Sequence, residues 1–302
     1  MALGGFLNTI FDKDNSMHYV TSKGILSKNN GMNLYRGCTH GCIYCDSRSE
    51  IYGMSHKFED IEVKENSLEL LKRALKRRPQ SMIGTGAMTD PYIPLEKHLK
   101  YVRNTLKLIH DYGFGFTCIT KSDLILRDLD LLKKINEKSK VVVQMTLTTA
   151  DEELCGILEP NVCSTERRVE VLKTLNDEGI PTVVWLCPIL PHINDDEENI
   201  NAILDYCIDV DVHGILCFGM GLTLRKGNRE YFYSKLDEHF PGLKEKYIKE
   251  YGNSYAITSP NNERLMKVFK KRTSDNNILN DPSKVFEYLH EFPQKSYQTK
   301  LI

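Results

Sequence analysis

Short runs rich in β-branched and aromatic residues alternate with amphipathic runs of helical period through most of the chain. Residues 81–87 (SMIGTGA), 114–120 (FGFTCIT), 141–148 (VVVQMTLT), 181–190 (PTVVWLCPIL) and 212–218 (VHGILCF) each read as a strand buried on at least one face. Between them, residues 97–112 place Val102, Leu106 and Ile109 on one helical face, and residues 128–138 do the same with Leu129, Leu132 and Ile135. Residues 165–178 repeat the pattern with Val169, Leu172 and Leu175, and residues 197–210 with Ile200, Ile203, Leu204 and Cys207. Ser164 is placed to cap the third of these helices, with Glu166 in its first turn. Gly113 and Gly179 stand where two of the helices should stop.

Alternation of this kind predicts a parallel sheet joined by crossover helices. Residues 33–36 supply a further short strand ahead of the five, and a helix over 67–78 leads into the second. Six β/α units in about 190 residues predict an α/β fold of the incomplete (β/α)6 TIM-type barrel kind rather than a full eight-unit barrel. The pattern stops near Gly219. It divides the chain into an N-terminal extension (1–30), a partial barrel (31–225) and a polar, Tyr-rich, partly helical C-terminal extension (226–302) packed on the barrel.

Composition removes several classes of function. Lys and Arg number 40 against 41 Asp and Glu, a net charge of −1 over 302 residues, which argues against bulk electrostatic gripping of nucleic acid. No apolar run approaches the roughly 18 residues of a membrane span, so no membrane partner is expected. The amino-terminal run MALGGFLNTIFDKD lacks a basic start and reaches Asp12 too early for a secretory signal. Nine cysteines without such a signal point to metal or catalysis in a reducing, cytoplasmic setting.

Three of the nine crowd into residues 33–50 (NLYRGCTHGCIYCDSRSE), where Cys38, Cys42 and Cys45 are spaced x3 and then x2. Three thiolates on one tight loop suit three irons of a 4Fe–4S cubane and leave the fourth iron without a protein ligand. Gly37 and Gly41 permit the positive φ that such a loop needs. A structural zinc with His40 or Asp46 as fourth ligand is the alternative from the triplet alone. The loop follows the first strand of the series, at the carboxyl end where such folds place their chemistry.

The pattern Cx3CxφC, with aromatic Tyr44 before the last cysteine, resembles the radical S-adenosylmethionine (SAM) superfamily. Further stretches resemble its spore photoproduct lyase-like branch: GTGAMTDPYIPLE (84–96), ITKSDLILRDLDLL (119–132), QMTLTTADEE (144–153), LEPNVCSTERRVEVLKTLNDEGI (158–180) and PILPHIND (188–195). They run in consistent order over roughly residues 30 to 225. The resemblance implies an enzyme with a 4Fe–4S cluster on Cys38, Cys42 and Cys45. Its open iron is chelated by SAM, and reductive cleavage yields a 5′-deoxyadenosyl radical that takes hydrogen from a substrate. An external flavodoxin- or ferredoxin-like electron donor is implied with it.

The same resemblance suggests SAM contacts at Tyr44, Thr89, Asp90, Lys121, Thr146 and Arg168. In the strand over 141–148, Gln144, Thr146 and Thr148 share the face expected to point inward, while Val143, Met145 and Leu147 face the helices. Each candidate has a plainer reading. The Thr146 hydroxyl suits a backbone partner, Asp90 an Asp-Pro turn with Pro91, Lys121 a solvated strand end, and Arg168 a structural salt bridge with Glu159.

One departure from the lyase pattern stands out. Where those lyases carry a hydrogen-returning cysteine shortly before the Thr-Asp pair, this chain has Gly86, Ala87 and Met88. The six other cysteines show no CxxC spacing, and Cys187, near a strand end, is the thiol of interest among them. His192 replaces a turn glycine of the branch. Basic runs at 72–78, 225–229 and 267–272, with Tyr231, Tyr233, Tyr247, Tyr251 and Tyr255, keep a nucleic-acid groove among the candidate surfaces. The competing readings are a photoproduct-type DNA repair enzyme and a non-enzymatic metal- or nucleic-acid-binding module.

Overall fold

The computed structural model describes residues 16–293; the amino-terminal run weighed as a signal lies outside the described residues. Strands β1 (Met17–Val20), β2 (Gly31–Met32), β3 (Tyr35–Arg36) and β4 (Ile61–Lys64) come first, followed by helix α1 (Ser67–Leu75). The β/α series continues with β5 (Met82–Thr85), α2 (Glu96–Leu99), α3 (Tyr101–Tyr112), β6 (Gly115–Thr120), α4 (Leu129–Lys138) and β7 (Val141–Thr146). After α5 (Glu152–Leu158) and α6 (Thr165–Asp177) come β8 (Thr182–Trp185), α7 (Glu197–Asp209) and β9 (Gly214–Leu216). The carboxyl-terminal part holds β10 (Gly221–Thr223), α8 (Asn228–His239), α9 (Leu243–Tyr251), β11 (Ala256–Thr258), α10 (Asn262–Asp275) and α11 (Pro282–His290).

Six strands form one all-parallel sheet in the order β2-β5-β6-β7-β8-β9, the incomplete barrel expected. Its first strand is corrected. Residues 33–36 do not join the barrel; β3 pairs antiparallel with β4 in a side sheet of order β1-β4-β3, and the barrel strand is the dipeptide Gly31–Met32. Two residues, one of them Gly, carry no period that sequence reading detects.

The two faces of the barrel follow strand alternation. Val141, Val143 and Met145 of β7 join the large core with Leu106, Ile109, Leu132, Ile135 and Leu172 of the surrounding helices. On the inner face, Val142, Val183 and Leu216 pack against Val285 and Leu289, so α11 closes the amino-terminal end of the barrel. Above this apolar floor lies a polar belt. Trp185 Nε1 donates to Gln144 Oε1 at 2.8 Å, and Gln144 Nε2 donates to Thr117 Oγ1 at 2.8 Å. The carboxyl-terminal extension also contributes to the other end: β11 pairs antiparallel with β10, a pairing that straddles the boundary expected at 225.

The helix ends follow their caps. The Ser164 hydroxyl accepts the Arg167 N–H at 3.1 Å, and Gly113 and Gly179 adopt φ of 71° and 69° at the expected stops. The helix expected over 97–112 is broken at Lys100, whose φ is 57°, which separates α2 from α3.

Candidate active site

The cysteine loop is shaped by close backbone approaches. At Gly37 (φ 89°) a Cβ would stand 2.5 Å from the carbonyl oxygen of Phe58, the same oxygen that accepts the Cys38 N–H at 3.1 Å. At Gly41 (φ 73°) it would meet Pro160 Cγ at 3.0 Å, because the loop leans on the segment after α5. There the Ile43 N–H donates to Leu158 O at 3.0 Å, and Asn161 binds the His40 and Thr39 carbonyls at 3.1 and 2.9 Å. Cys38 and Cys42 are buried and Cys45 half-buried. Burial pushes the Cys42 thiol far up, and Cys45 up as well. Burial also acts on Cys38, but the adjoining His40 outweighs it and draws its pKa down.

The donor set fits a cubane better than a single ion. Around one tetrahedral zinc at about 2.3 Å per Zn–S bond, thiolate sulfurs crowd to about 3.8 Å. The three sulfurs are not among the His, Cys, Asp and Glu groups of the described residues whose ligand atoms all come within 4.8 Å of one another. The two residues offered as a fourth zinc ligand each have other partners, although His40 also hydrogen-bonds Cys38. His40 is buried with Nδ1 3.4 Å from Asp90; burial alone would lower its pKa, but Cys38 and Asp90 lift it to about 9. Asp46 accepts from the Tyr52 hydroxyl at 2.7 Å and faces Arg225 at 3.7 Å.

Of the strand-end candidates, Asp90 and Lys121 are tied to each other. Asp90 accepts from Tyr92 N–H, Thr120 Oγ1 and Lys121 N–H, each at 2.8 Å, so it forms the turn after β5 and ties it to the end of β6. Thr89 Oγ1 is buried with no hydrogen-bond partner among the described residues. Lys121 is held with its Nζ 5.9 Å from the Tyr44 ring centre. Burial opposes its charge, but Cys42, Glu159 and Asp90 outweigh that and raise its pKa above the usual lysine value.

Arg168 has no exposed surface. Its Nη2 lies 2.6 Å from Glu159, its Nη1 donates to Thr146 O at 2.9 Å, and its Nε donates to Cys163 O at 3.2 Å. Glu159 in turn accepts from the Tyr44 hydroxyl. Of the two readings of Arg168, the structure contains the salt bridge: Arg168 fixes Glu159, and Glu159 fixes the ring beside Cys45. Burial would raise the Glu159 pKa, and Arg168 and Lys121 overcome it. Arg168→Met strands that carboxylate in the interior and is expected to lower stability by about 3–5 kcal/mol. Urea unfolding measures it; an unchanged midpoint would mean that Glu159 is not ionised there.

Tyr44, Cys45, Lys121 and Thr146 line one cavity of about 590 Å³ at the carboxyl end of the strands. Gly86 and Ala87 form another wall, and Gly86 (φ 102°) has no room for a Cβ, which would stand 2.2 Å from Ile119 O. The antiparallel β10–β11 pair covers one side. Trp185 and Phe218, which sequence reading left to the strands, face the same space with ring centres 5.8 Å apart; Phe218 is 58% exposed. An aromatic closing the strand run at 212–218 was the available signal. Cys187 lines the cavity too, its thiol pushed up to about 12 by burial and by Cys217.

Other candidates do not gather there. His192 lies 2.8 Å from Glu250 and 3.2 Å from Lys246, joining its turn to α9. Of the rings offered for stacking, Tyr247 is fully buried among Phe232, Tyr233 and Tyr251, whereas Tyr255 is exposed with Arg225 Cζ 4.7 Å from its ring centre. Within the basic runs, Arg229 binds the 253–254 carbonyls, Lys267 pairs with Glu263, and Arg272 pairs with Asp205.

An uncharacterized protein of Methanocaldococcus jannaschii is 36% identical over 168 residues, which is 55% of this chain and 62% of that protein's length. The fold is similar to that of spore photoproduct lyase complexed with dinucleoside spore photoproduct, with a TM-score of 0.63 at 15% identity over 87% of this chain and 80% of that one. It is also similar to that of Streptococcus suis SuiB bound to S-adenosylmethionine, with a TM-score of 0.52 at 13% identity over 83% of this chain and 49% of that one. The radical SAM superfamily model matches residues 32–204. That match runs from β2 into α7 and takes in the cysteine loop, Lys121, Thr146 and Cys187, and on it the chain belongs to the radical SAM superfamily.

Proposed function

We propose that the protein is a radical SAM enzyme that holds a 4Fe–4S cluster on Cys38, Cys42 and Cys45 and binds SAM in the adjoining cavity. The observation that carries this reading is that Cys45, Lys121 and Thr146 share the walls of that one cavity. When bound, the cluster and SAM supply the reductive S–C5′ cleavage that makes a 5′-deoxyadenosyl radical for hydrogen abstraction. The chain's own residues orient and enclose. Lys121 offers a fixed ammonium to the SAM carboxylate, and Asp90 holds its backbone in place. The Thr146 hydroxyl is a polar contact on the cavity wall, and the Glu159–Arg168 pair locks Tyr44 beside the cysteine loop. The β10–β11 pair and the Trp185–Phe218 pair limit water at the mouth.

The SAM of the SuiB structure supports the cofactor, since this chain shares that fold. Nine free thiols fit a reducing, cytoplasmic setting, where a flavodoxin- or ferredoxin-like donor delivers the electron. Anaerobic reconstitution with iron and sulfide, followed by metal analysis and electron paramagnetic resonance, tests the cluster. One 4Fe–4S per chain is expected, and 5′-deoxyadenosine should form on reduction with SAM. Stoichiometric zinc and no iron would favour the binding-module reading instead.

A further inference from the structure

We propose that the side sheet carries a second metal site, separate from the cysteines, in which His18, His56 and Glu62 bind a divalent transition-metal ion, zinc by donor type. One ligand atom of each lies within 4.8 Å of the others. The three come from different segments that folding brings together. His18 of β1 and Glu62 of β4 are direct register partners, and their neighbours Met17 and Ile61 turn to the core. His56 reaches in from the loop before β4, its ring centre 4.8 Å from that of His18.

The hydrogen bonds around the rings favour a ligand role. His18 Nδ1 faces Asp60 Oδ1 at 3.1 Å, and His56 Nδ1 faces the Lys57 carbonyl oxygen at 3.0 Å. Oxygen acceptors on both Nδ1 atoms select the tautomers with hydrogen on Nδ1 and the lone pair on Nε2, which is how metal-binding imidazoles are normally braced. That leaves His56 Nε2 2.8 Å from Glu62 Oε1. Two acceptors at that separation require a shared cation, either a proton or a metal. Ligands about 2.0–2.1 Å from a tetrahedral zinc lie about 3.3 Å apart, so the His56–Glu62 pair opens by about half an ångström and His18 closes in from within 4.8 Å to admit the metal. Two imidazoles and one carboxylate match that ion's ligand preferences and leave a fourth position to water. Arg36 Nη1, 3.6 Å from Glu62 Oε1, is the opposing charge that the site must tolerate.

The consequence reaches the cysteine loop. His56 and Asp60 flank Phe58, whose carbonyl takes the Cys38 N–H and presses on Gly37. An ion there ties residues 56–62 to β1 and braces the backbone from which Cys38 projects.

The test is a zinc titration of the full chain carrying Cys38→Ser, Cys42→Ser and Cys45→Ser, which removes the competing thiolates. One saturable equivalent of Zn²⁺ is expected, weakened at least about tenfold by His18→Gln or His56→Gln and less by Asp60→Asn. Glu62→Gln, on the outer face of β4, repeats the test should a histidine variant misfold by circular dichroism. No saturable uptake, or uptake indifferent to all of these substitutions, would overturn the proposal and leave a protonated His–carboxylate network. Either result is independent of whether the cysteines hold iron.

Discussion

Alanine at Cys38, Cys42 or Cys45 is expected to reduce 5′-deoxyadenosine formation to background, while alanine at Cys118 or Cys207 leaves it largely intact. The contrast rests on what each thiol touches. Cys38, Cys42 and Cys45 sit on a loop whose backbone is pinned by Phe58, Leu158 and Asn161, and in the proposed cluster removing one sulfur would leave an iron without its protein ligand. Cys118 lies on β6 and Cys207 on α7, both with no exposed surface, and burial alone holds the Cys207 thiol far above its ordinary pKa. A thiol in that state is a small apolar side chain, and its loss creates only a small cavity. The measurement is product formation by reduced, reconstituted protein, with iron content read alongside. The three loop variants should lose iron as well as product. Equal losses at all five positions would trace the effect to general destabilisation rather than to ligation.

The parts of this molecule that follow a period could be read before the structure. The run at 141–148 alternates so cleanly that the inward set Gln144 and Thr146 and the outward set Val143 and Met145 separate into a polar belt and a helix-facing core. The cysteine loop was legible for a different reason: its residue types and spacing carry chemistry whatever the neighbours are. What sequence reading missed is non-local. Gly31–Met32 becomes a barrel strand only because β5 offers it an edge, while the longer-looking 33–36 is captured by β4. Asp90 was singled out for its type, yet its carboxylate is taken up by Thr120 and by the Lys121 backbone, some 30 residues on. Helix α5 went unread because it has only seven residues, and the Glu159 that follows it matters through Arg168. His18, His56 and Glu62 are spread over three segments, and no spacing rule joins them.

Spore photoproduct in DNA should not be converted back to thymine by this protein through a cysteine-mediated hydrogen return. The resemblance to the lyases makes such repair the obvious activity to try, and the shared fold alone does not decide it. The relevant wall of the cavity is Gly86 and Ala87, with Met88 beyond and Thr89 and Asp90 closing the turn. A carbon-centred product radical needs a weak X–H bond within contact distance, and neither Ala nor Met carries an S–H. The substitute thiol in place, apart from the cysteines of the 38–45 loop, is Cys187, which lines the same cavity. With its pKa pushed up to about 12 by burial and by Cys217, it keeps its S–H at neutral pH and is chemically able to give up a hydrogen atom. The assay is reduced enzyme with photoproduct-containing DNA, scoring restored thymine against 5′-deoxyadenosine. The expected outcome is cofactor cleavage with thymine at background, because Cys187 follows β8, three strands across the sheet from the β5 end that carries Ala87. Thymine that appears in the parent and vanishes in Cys187→Ala, with cleavage intact, would identify a donor relocated within the cavity. Efficient repair that survives Cys187→Ala would show that a hydrogen source other than that thiol serves this enzyme, and an alanine at position 87 would then be no barrier to repair.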